Sequence, residues 1–335
     1  MNPLPRLLIT MGDVAGIGPE IIVRAWPELV KLCRPVVVGD LSWLQKSLAL
    51  VGSPARVESA THPGEKESTA TTVICLQASK QDLSQVTTGQ VSAAAGRAAY
   101  DFLCAAIDLT LRAEADGIVT APLHKEGLRA AGLPYPGHTE ILAERTGTRQ
   151  FGMMLYCDGL GVMHVTLHMA LRDVFRHLST EAVLEKIRLL AKLLARLLGR
   201  APRLGVAGLN PHASDGGLFG DEEAKIIEPA VAAARAEKIA VSGPWPVDTL
   251  FVRARRGEFD GIVAMYHDQG HIAFKLFGGL RVVNISVGLP LVRTSVAHGT
   301  AYDIAGQGVA DPTSLIEATR VAAKLASDRE DSPPR

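Results

Sequence analysis

Short apolar runs that stop at turn residues, each followed by a segment of helical length, recur along this chain and restrict it to an alternating α/β architecture. Leu7–Thr10 reads as a buried strand, and Gly18 opens a helix with Pro19 in its first turn. Pro35–Gly39 is the next strand, residues 53–70 read as a polar surface excursion, and Ser92–Arg112 is a long helix leading into a strand at Gly117–Thr120. A helix begins near Ser179, with Leu184, Ile187, Ala191, Leu194, Ala195 and Leu198 on one face and Arg188, Lys192, Arg196 and Arg200 on another. Such alternation predicts mostly parallel sheets covered by helices on both faces, and 335 residues are enough for two lobes with a cleft between them.

Three histidines stand where strand-like runs end. His168 follows Val162–Leu167, His212 follows Leu204–Pro211, and His267 follows Gly261–Tyr266. Ligands of open α/β sheets bind outside the carboxyl ends of strands, so three imidazoles delivered there suggest one site for zinc, cobalt or another divalent transition metal. Each histidine taken singly can equally serve as a core or capping residue.

Composition narrows the partners. Formal net charge is zero, which favours a small-molecule ligand over nucleic acid or an anionic membrane surface. Cys33, Cys75, Cys104 and Cys157 are far apart, without metal-ligand spacing, and read as small buried residues of a reducing compartment. No run reaches the ~18 consecutive apolar residues of a spanning helix, and the N-terminal apolar run is short for a secretory signal, so a cytoplasmic location is expected.

Four further segments carry chemistry. Glycines 12, 16 and 18 allow a sharp turn and close approach after the first strand, in a spacing that is not that of a Rossmann loop. The segment Thr120–Lys125, with His138 and Thr139 after Gly137, offers hydrogen-bonding groups for an oxyanion; Thr139 could also be a helix cap. Lys275, Asn284 and Arg293 together form a potential anion clamp, and the apolar neighbours of Arg293 predict a partly buried guanidinium needing an anionic partner. Residues 296–312 make a long glycine-punctuated loop of the kind that carries function.

At these residues the chain resembles the 4-hydroxythreonine-4-phosphate dehydrogenases of pyridoxal phosphate biosynthesis, over about residues 6–325. The matching blocks include Gly16–Glu20, Gly137–Glu140, Leu171–Asp173, Gly208–Ala213, Asp248–Phe251, Ala264–Gly270, Arg293–Ser295 and His298–Ala301. The first and last also resemble segments of the isocitrate and isopropylmalate dehydrogenases. That implies two α/β/α lobes with an inter-lobe cleft: residues 1–135 with 286–325 as a terminal lobe holding the cofactor loop, and 136–285 as a central lobe with the metal site and dimer contacts. Residues 326–335 should be a disordered tail.

The resemblance assigns the metal to His168, His212 and His267 and the substrate to His138, Thr139, Lys275, Asn284 and Arg293. It assigns NAD or NADP to His298, Gly299, Thr300 and Asp303, and completes the site in a homodimer. His138, Lys125 and Asp248 have the chemistry to take the substrate's hydroxyl proton. The implied reaction is oxidation, with decarboxylation, of 4-(phosphooxy)-L-threonine to 3-amino-2-oxopropyl phosphate. Leu167, Met169 and Ala170, and the opening Met11–Gly16, depart from the biosynthetic pattern. With His267–His271 they look closer to a sister branch acting on D-threonate or D-erythronate 4-phosphate. A metal-dependent phosphatase and a phosphosugar-binding module are the rival classes; the first would need more carboxylates beside the histidines, and the second would leave the metal set unused.

Overall fold

The computed structural model describes residues 3–328 and divides the chain into two compact units, Met1–Arg149 with Leu289–Arg335, and Gln150–Gly288. In chain order the first unit holds β1 (Arg6–Thr10), α1 (Gly18–Leu32), β2 (Arg34–Gly39), α2 (Leu41–Leu50), β3 (Arg56–Ala60), β4 (Thr72–Gln77), α3 (Ala93–Leu111), β5 (Gly117–Thr120), α4 (Lys125–Ala130) and α5 (His138–Thr146). The second holds β6 (Gly152–Cys157), β7 (Leu160–His164), α6 (Leu171–His177), α7 (Thr180–Leu198), β8 (Leu204–Ala207), α8 (Glu228–Ala236), β9 (Val241–Trp245), α9 (Val247–Arg255), β10 (Gly261–Ala264), α10 (His267–Gly278) and β11 (Val283–Val287). The chain then returns to the first unit as β12 (Arg293–Val296) and α11 (Thr313–Ser327).

In the first unit the strand order is β3-β4-β2-β1-β5-β12, every pair parallel. Helices α3 and α11 both pack on β1 and β5 but in separate groups, α3 with α4 and α5, α11 with α1 and α2 through α1. They therefore cover opposite faces. Strands buried on both faces must be apolar throughout, and Leu7, Leu8, Ile9, Val36, Val37, Val38, Ile118 and Val119 supply that core. The chain leaves β1 toward β2 on one side and places β5 on the other, so the strand order reverses between the carboxyl ends of β1 and β5.

In the second unit the order is β11-β6-β7-β10-β8-β9. β11, β6 and β7 are antiparallel neighbours, whereas β7, β10, β8 and β9 run parallel. Helices α7 and α10 both pack on β6, β7 and β10 without forming one layer, which again makes an α/β/α arrangement. The buried stripe of α7 is Val183, Ile187, Leu190, Leu193, Leu194 and Leu197. That is a rotation from the expected stripe: Leu184, Ala191, Ala195 and Leu198 lie at its edge, because the helix meets both a sheet and α8.

Three other expectations change. The polar segment 53–70 contains an edge strand, β3, whose alternation is blurred by its exposure. The unit boundary falls after Arg149, which puts His138 and Thr139 with the chain ends, and before Leu289. Helix α11 continues to Ser327, so the expected tail begins no earlier than 328, and residues 329–335 lie outside the described residues. Cys33, Cys75 and Cys157 are buried thiols as expected, with Cys104 partly exposed.

Candidate active site

Parallel pairing of β7, β10 and β8 brings the chain segments that follow them to one sheet edge, and hydrogen bonds tie those segments together. Val165 N donates to Ala264 O at 2.8 Å and Thr166 Oγ1 to Met265 O at 2.8 Å. Buried Gln269 accepts from Met265 N at 2.7 Å and donates to Gly208 O at 2.7 Å, linking the ends of β10 and β8. His168, His212 and His267 stand on these three segments.

The His168 and His267 rings are 5.6 Å apart, centroid to centroid. Two imidazoles on one divalent ion, each nitrogen about 2.0–2.1 Å from the metal, place their centroids roughly 5–6 Å apart, so this pair fits a shared ion. His267 Nδ1 lies 2.6 Å from Asp268 Oδ1; a carboxylate accepts, so Nδ1 donates and Nε2 is the ring nitrogen left to face a metal. His212 has Phe219 as its ring neighbour, and among the described residues no three His, Cys, Asp or Glu side chains gather closely enough to hold a metal ion.

His212 sits in an unusual backbone. His212, Ala213, Ser214 and Asp215 have φ of 55°, 55°, 65° and 48°, four successive non-glycine residues in the left-handed region. Such conformations persist only where surroundings impose them, and they concentrate at functional sites. Buried Glu223 is one such constraint: it accepts from Leu209 N at 2.8 Å, Asn210 N at 2.7 Å and Asn210 Nδ2 at 2.9 Å.

Two histidines that sequence reasoning passed over lie behind the set. His271 stacks on His267 with centroids 3.7 Å apart and an interplanar angle of 12°, too close for both rings to ligate one ion. Its Nδ1 is 3.1 Å from Nε2 of fully buried His164. Burial pushes His164 down to about 3 and His271 to about 4, so both are neutral at pH 7. The four-residue spacing of His267 and His271 on one helix was the available signal.

In the first unit, Arg293 is 2% exposed on β12, and its Nη2 donates to Thr120 Oγ1 at 2.7 Å at the end of β5. Burial lowers the guanidinium to about 9, with Glu140 acting in the opposite sense. His138, the first residue of α5, is held well below the usual histidine range by burial and then by the Arg293 charge. The N-cap of α5 is Gly137, so Thr139 lies within the first turn and is not the cap. The result is a buried cation, a neutral imidazole, a hydroxyl and a helix N-terminus in one unit, the chemistry of an anion site. Glu140 is the internal anion beside Arg293.

Lys275 is exposed on α10, and Asn284 is on β11 with its Oδ1 buried and unpartnered; both belong to the Gln150–Gly288 unit. Of the proton-acceptor candidates, Lys125 opens α4 and Asp248 lies in the first turn of α9, both exposed.

The loop expected to hold the cofactor folds onto the glycine turn after β1. Ile17 N donates to Thr300 O at 3.0 Å, and a Cβ on Gly16 would lie 2.8 Å from Thr300 Cβ, so glycine is required there. Tyr302 Oη donates to Asp13 Oδ2 at 2.7 Å, and the Tyr302 ring stacks on His124 at 4.6 Å and 9°. Asp13, His124 and Tyr302 were not singled out from sequence, although Asp13 lies inside the glycine turn and Tyr302 between residues assigned to the cofactor. His298, Gly299 and Asp303 are more exposed, and His298 Nδ1 lies 2.9 Å from Gly299 O.

These two α/β/α units, with Thr120 and the segments carrying His168, His212 and His267 at the carboxyl ends of parallel strands, place the protein in the open-sheet α/β class. The particular family is given by comparison. The profile of the pyridoxal phosphate biosynthetic protein PdxA matches residues 31–322, and the chain belongs to this family. It is 48% identical to a D-threonate 4-phosphate dehydrogenase of Cupriavidus necator, over 97% of this chain and 98% of that one. It is also 48% identical to a 4-hydroxythreonine-4-phosphate dehydrogenase of Beijerinckia indica, over 95% and 94%. The crystal structure of 4-hydroxythreonine-4-phosphate dehydrogenase from Klebsiella pneumoniae matches with a TM-score of 0.85 and 43% identity, covering 96% of this chain and 99% of that one.

Proposed function

We propose that this chain is a dehydrogenase that oxidises the C3 carbinol of a four-carbon hydroxy acid carrying a 4-phosphate, with NAD or NADP as hydride acceptor and loss of carbon dioxide from the β-keto acid formed. The observation that carries the reading is Arg293: a guanidinium buried on β12 beside His138, in a chain whose relatives are named for 4-phosphorylated substrates. A buried cation disfavoured by its surroundings gains most from an incoming anion. Arg293, His138 and Thr139 take the phosphate, and Lys275 and Asn284 are the further substrate residues.

The nicotinamide ring takes the hydride, and the carbinol proton passes to one of His138, Lys125 and Asp248. His168, His212 and His267 would hold a divalent metal, zinc, cobalt, magnesium or manganese, which supplies a Lewis acid for the carbinol and keto oxygens. A homodimer accounts for a histidine set that one chain does not assemble. The exposed apolar residues Ile272 and Leu276 on α10, the helix that begins with His267, support it as a contact face. A small phosphorylated ligand, not nucleic acid or membrane, is the partner; among the described residues no helix is long and apolar enough to cross a membrane.

The substrate is either 4-(phosphooxy)-L-threonine, giving 3-amino-2-oxopropyl phosphate, or D-threonate or D-erythronate 4-phosphate. Relatives named for each substrate are equally identical to this chain, at 48%, and the departures at Met11–Gly16, Leu167, Met169 and Ala170 favour the second. Each substrate is assayed with NAD and with NADP at ~340 nm after loading with each metal, the reduced cofactor being the hydride carrier's own signal. No reduction with any pairing would overturn the proposal, and phosphate release without reduction would point to the hydrolase.

A further inference from the structure

In an open α/β sheet the ligand crevice opens where strand order reverses. In the first unit that place is the pair of turns after β1 and β5, and a buried carboxylate occupies it. Asp13 is fully buried one turn past β1, with its N–H donating to Pro122 O at 2.9 Å beyond β5. Its Oδ1 accepts from Ala15 N at 2.9 Å and its Oδ2 accepts the hydroxyl of Tyr302, 289 residues along the chain.

The loop held by that hydroxyl is strained. Ala301 has φ of 44°, a left-handed conformation that a β-carbon disfavours. The strained residue is clamped on both sides: Thr300 O accepts from Ile17 N, and Tyr302 Oη donates to Asp13. Farther along, Ala310 N donates to buried Glu20 Oε1 at 2.7 Å, so the glycine turn and the first turn of α1 hold the loop at three places. An open pocket lined by Gly16, Glu20, Trp43, Lys46, Thr88 and Gly306 borders the same loop.

We propose that Asp13 and Tyr302 are positioning residues for the dinucleotide: their hydrogen bond holds the 298–303 loop in its strained, binding-competent form. The inference rests on the dehydrogenase reading and deepens it. Neither residue takes part in the chemical step. A flexible loop pays its ordering entropy when the cofactor arrives; a latched one has paid it during folding, and the difference appears in cofactor affinity.

The test is binding of NADH, or of NADPH if that is the form the wild-type protein takes, followed by the fluorescence of the reduced ring. Tyr302→Phe removes only the hydroxyl and should weaken binding about tenfold, the scale of one hydrogen bond to a charged group. The KM for the phosphorylated substrate at saturating cofactor should stay near wild type. Asp13→Asn keeps an acceptor for Ala15 N and a polar partner for the Tyr302 oxygen, and should weaken binding less than about threefold. Ala301→Gly relieves the left-handed strain, and adding it to Tyr302→Phe should recover part of the lost affinity. Unchanged NADH affinity in Tyr302→Phe, an equal rise in both KM values, a loss in Asp13→Asn as large as in Tyr302→Phe, or no recovery from Ala301→Gly would each overturn the latch. Absence of binding to either dinucleotide by the wild-type protein would instead remove the dehydrogenase reading beneath it.

Discussion

Arg293 shows how much one buried side chain can decide. Its guanidinium reaches Thr120 within the unit and sits beside neutral His138, so the phosphate of the proposed substrate would meet a cation already oriented by packing. Arg293→Ala should lower kcat/KM on a phosphorylated substrate by roughly ten- to a hundredfold while changing the rate on an unphosphorylated analogue little. Arg293→Lys should restore only part, because a point charge lacks the bidentate fork. Equal losses on both substrates in steady-state assays would assign Arg293 to the fold. His164 carries a second expectation. Its folded pKa of about 3 lies below the roughly 6.5 of an unfolded histidine, so the unfolded chain gains the proton first as pH falls. The contribution of this residue is complete above pH 6.5 and declines below it, by about 2 kcal/mol at pH 5 for the metal-free protein. Urea midpoints from pH 8 to 5 should show that decline, to which the depressed His271 and His138 add, and His164→Gln should make it shallower. The burial of Arg293 could be read from its apolar neighbours, whereas that of His164 could not, because an imidazole inside a strand reads like any other polar residue.

At the scale of elements, the second unit depends on a carboxylate that joins strand starts. Asp260, just before β10, accepts from Arg200 Nη2 at 2.7 Å, Arg200 Nη1 at 2.9 Å and the backbone N of Arg203 at 2.7 Å, fixing the entry to β8 against β10. The arginines hold its carboxyl well below the usual range. A depressed carboxylate contributes above its unfolded value of about 3.9 and loses that contribution as pH falls further. Asp260→Asn should therefore cost about 2 kcal/mol at pH 7 by chemical denaturation, and the gap to wild type should shrink below pH 4. A gap unchanged with pH would mean that the charge is not the source. Arg200 was read only as part of a solvated helix face; its partner lies 60 residues away, beyond any local pattern.

For the whole molecule, the proposal joins three histidines on one sheet edge into one metal site. His168 and His267 fit a shared ion within a chain and His212 stands apart, so the proposed homodimer has a direct test. Mixing inactive His212→Ala with inactive His267→Ala under subunit exchange should recover up to about a quarter of wild-type activity, since half the dimers are mixed and one site in each is intact. Confirmed exchange with no recovery would mean that one chain supplies every ligand.

Much of this architecture was legible in the linear chain. Alternating strands and helices follow from local apolar periodicity, and residues at strand ends are local too, so the fold class, the strand-end positions of His168, His212 and His267 and the glycine-punctuated 296–312 loop could be read before any coordinates. The clamp of Thr300 and Tyr302 onto the turn after β1 joins positions nearly 300 residues apart. Asp13, Glu223, Gln269 and Asp260 likewise matter through partners that only packing supplies. Pattern reports where a residue sits on its own element. Hydrogen-bond partners, burial and backbone strain depend on which elements pack together, and for this protein the tertiary structure alone decided them.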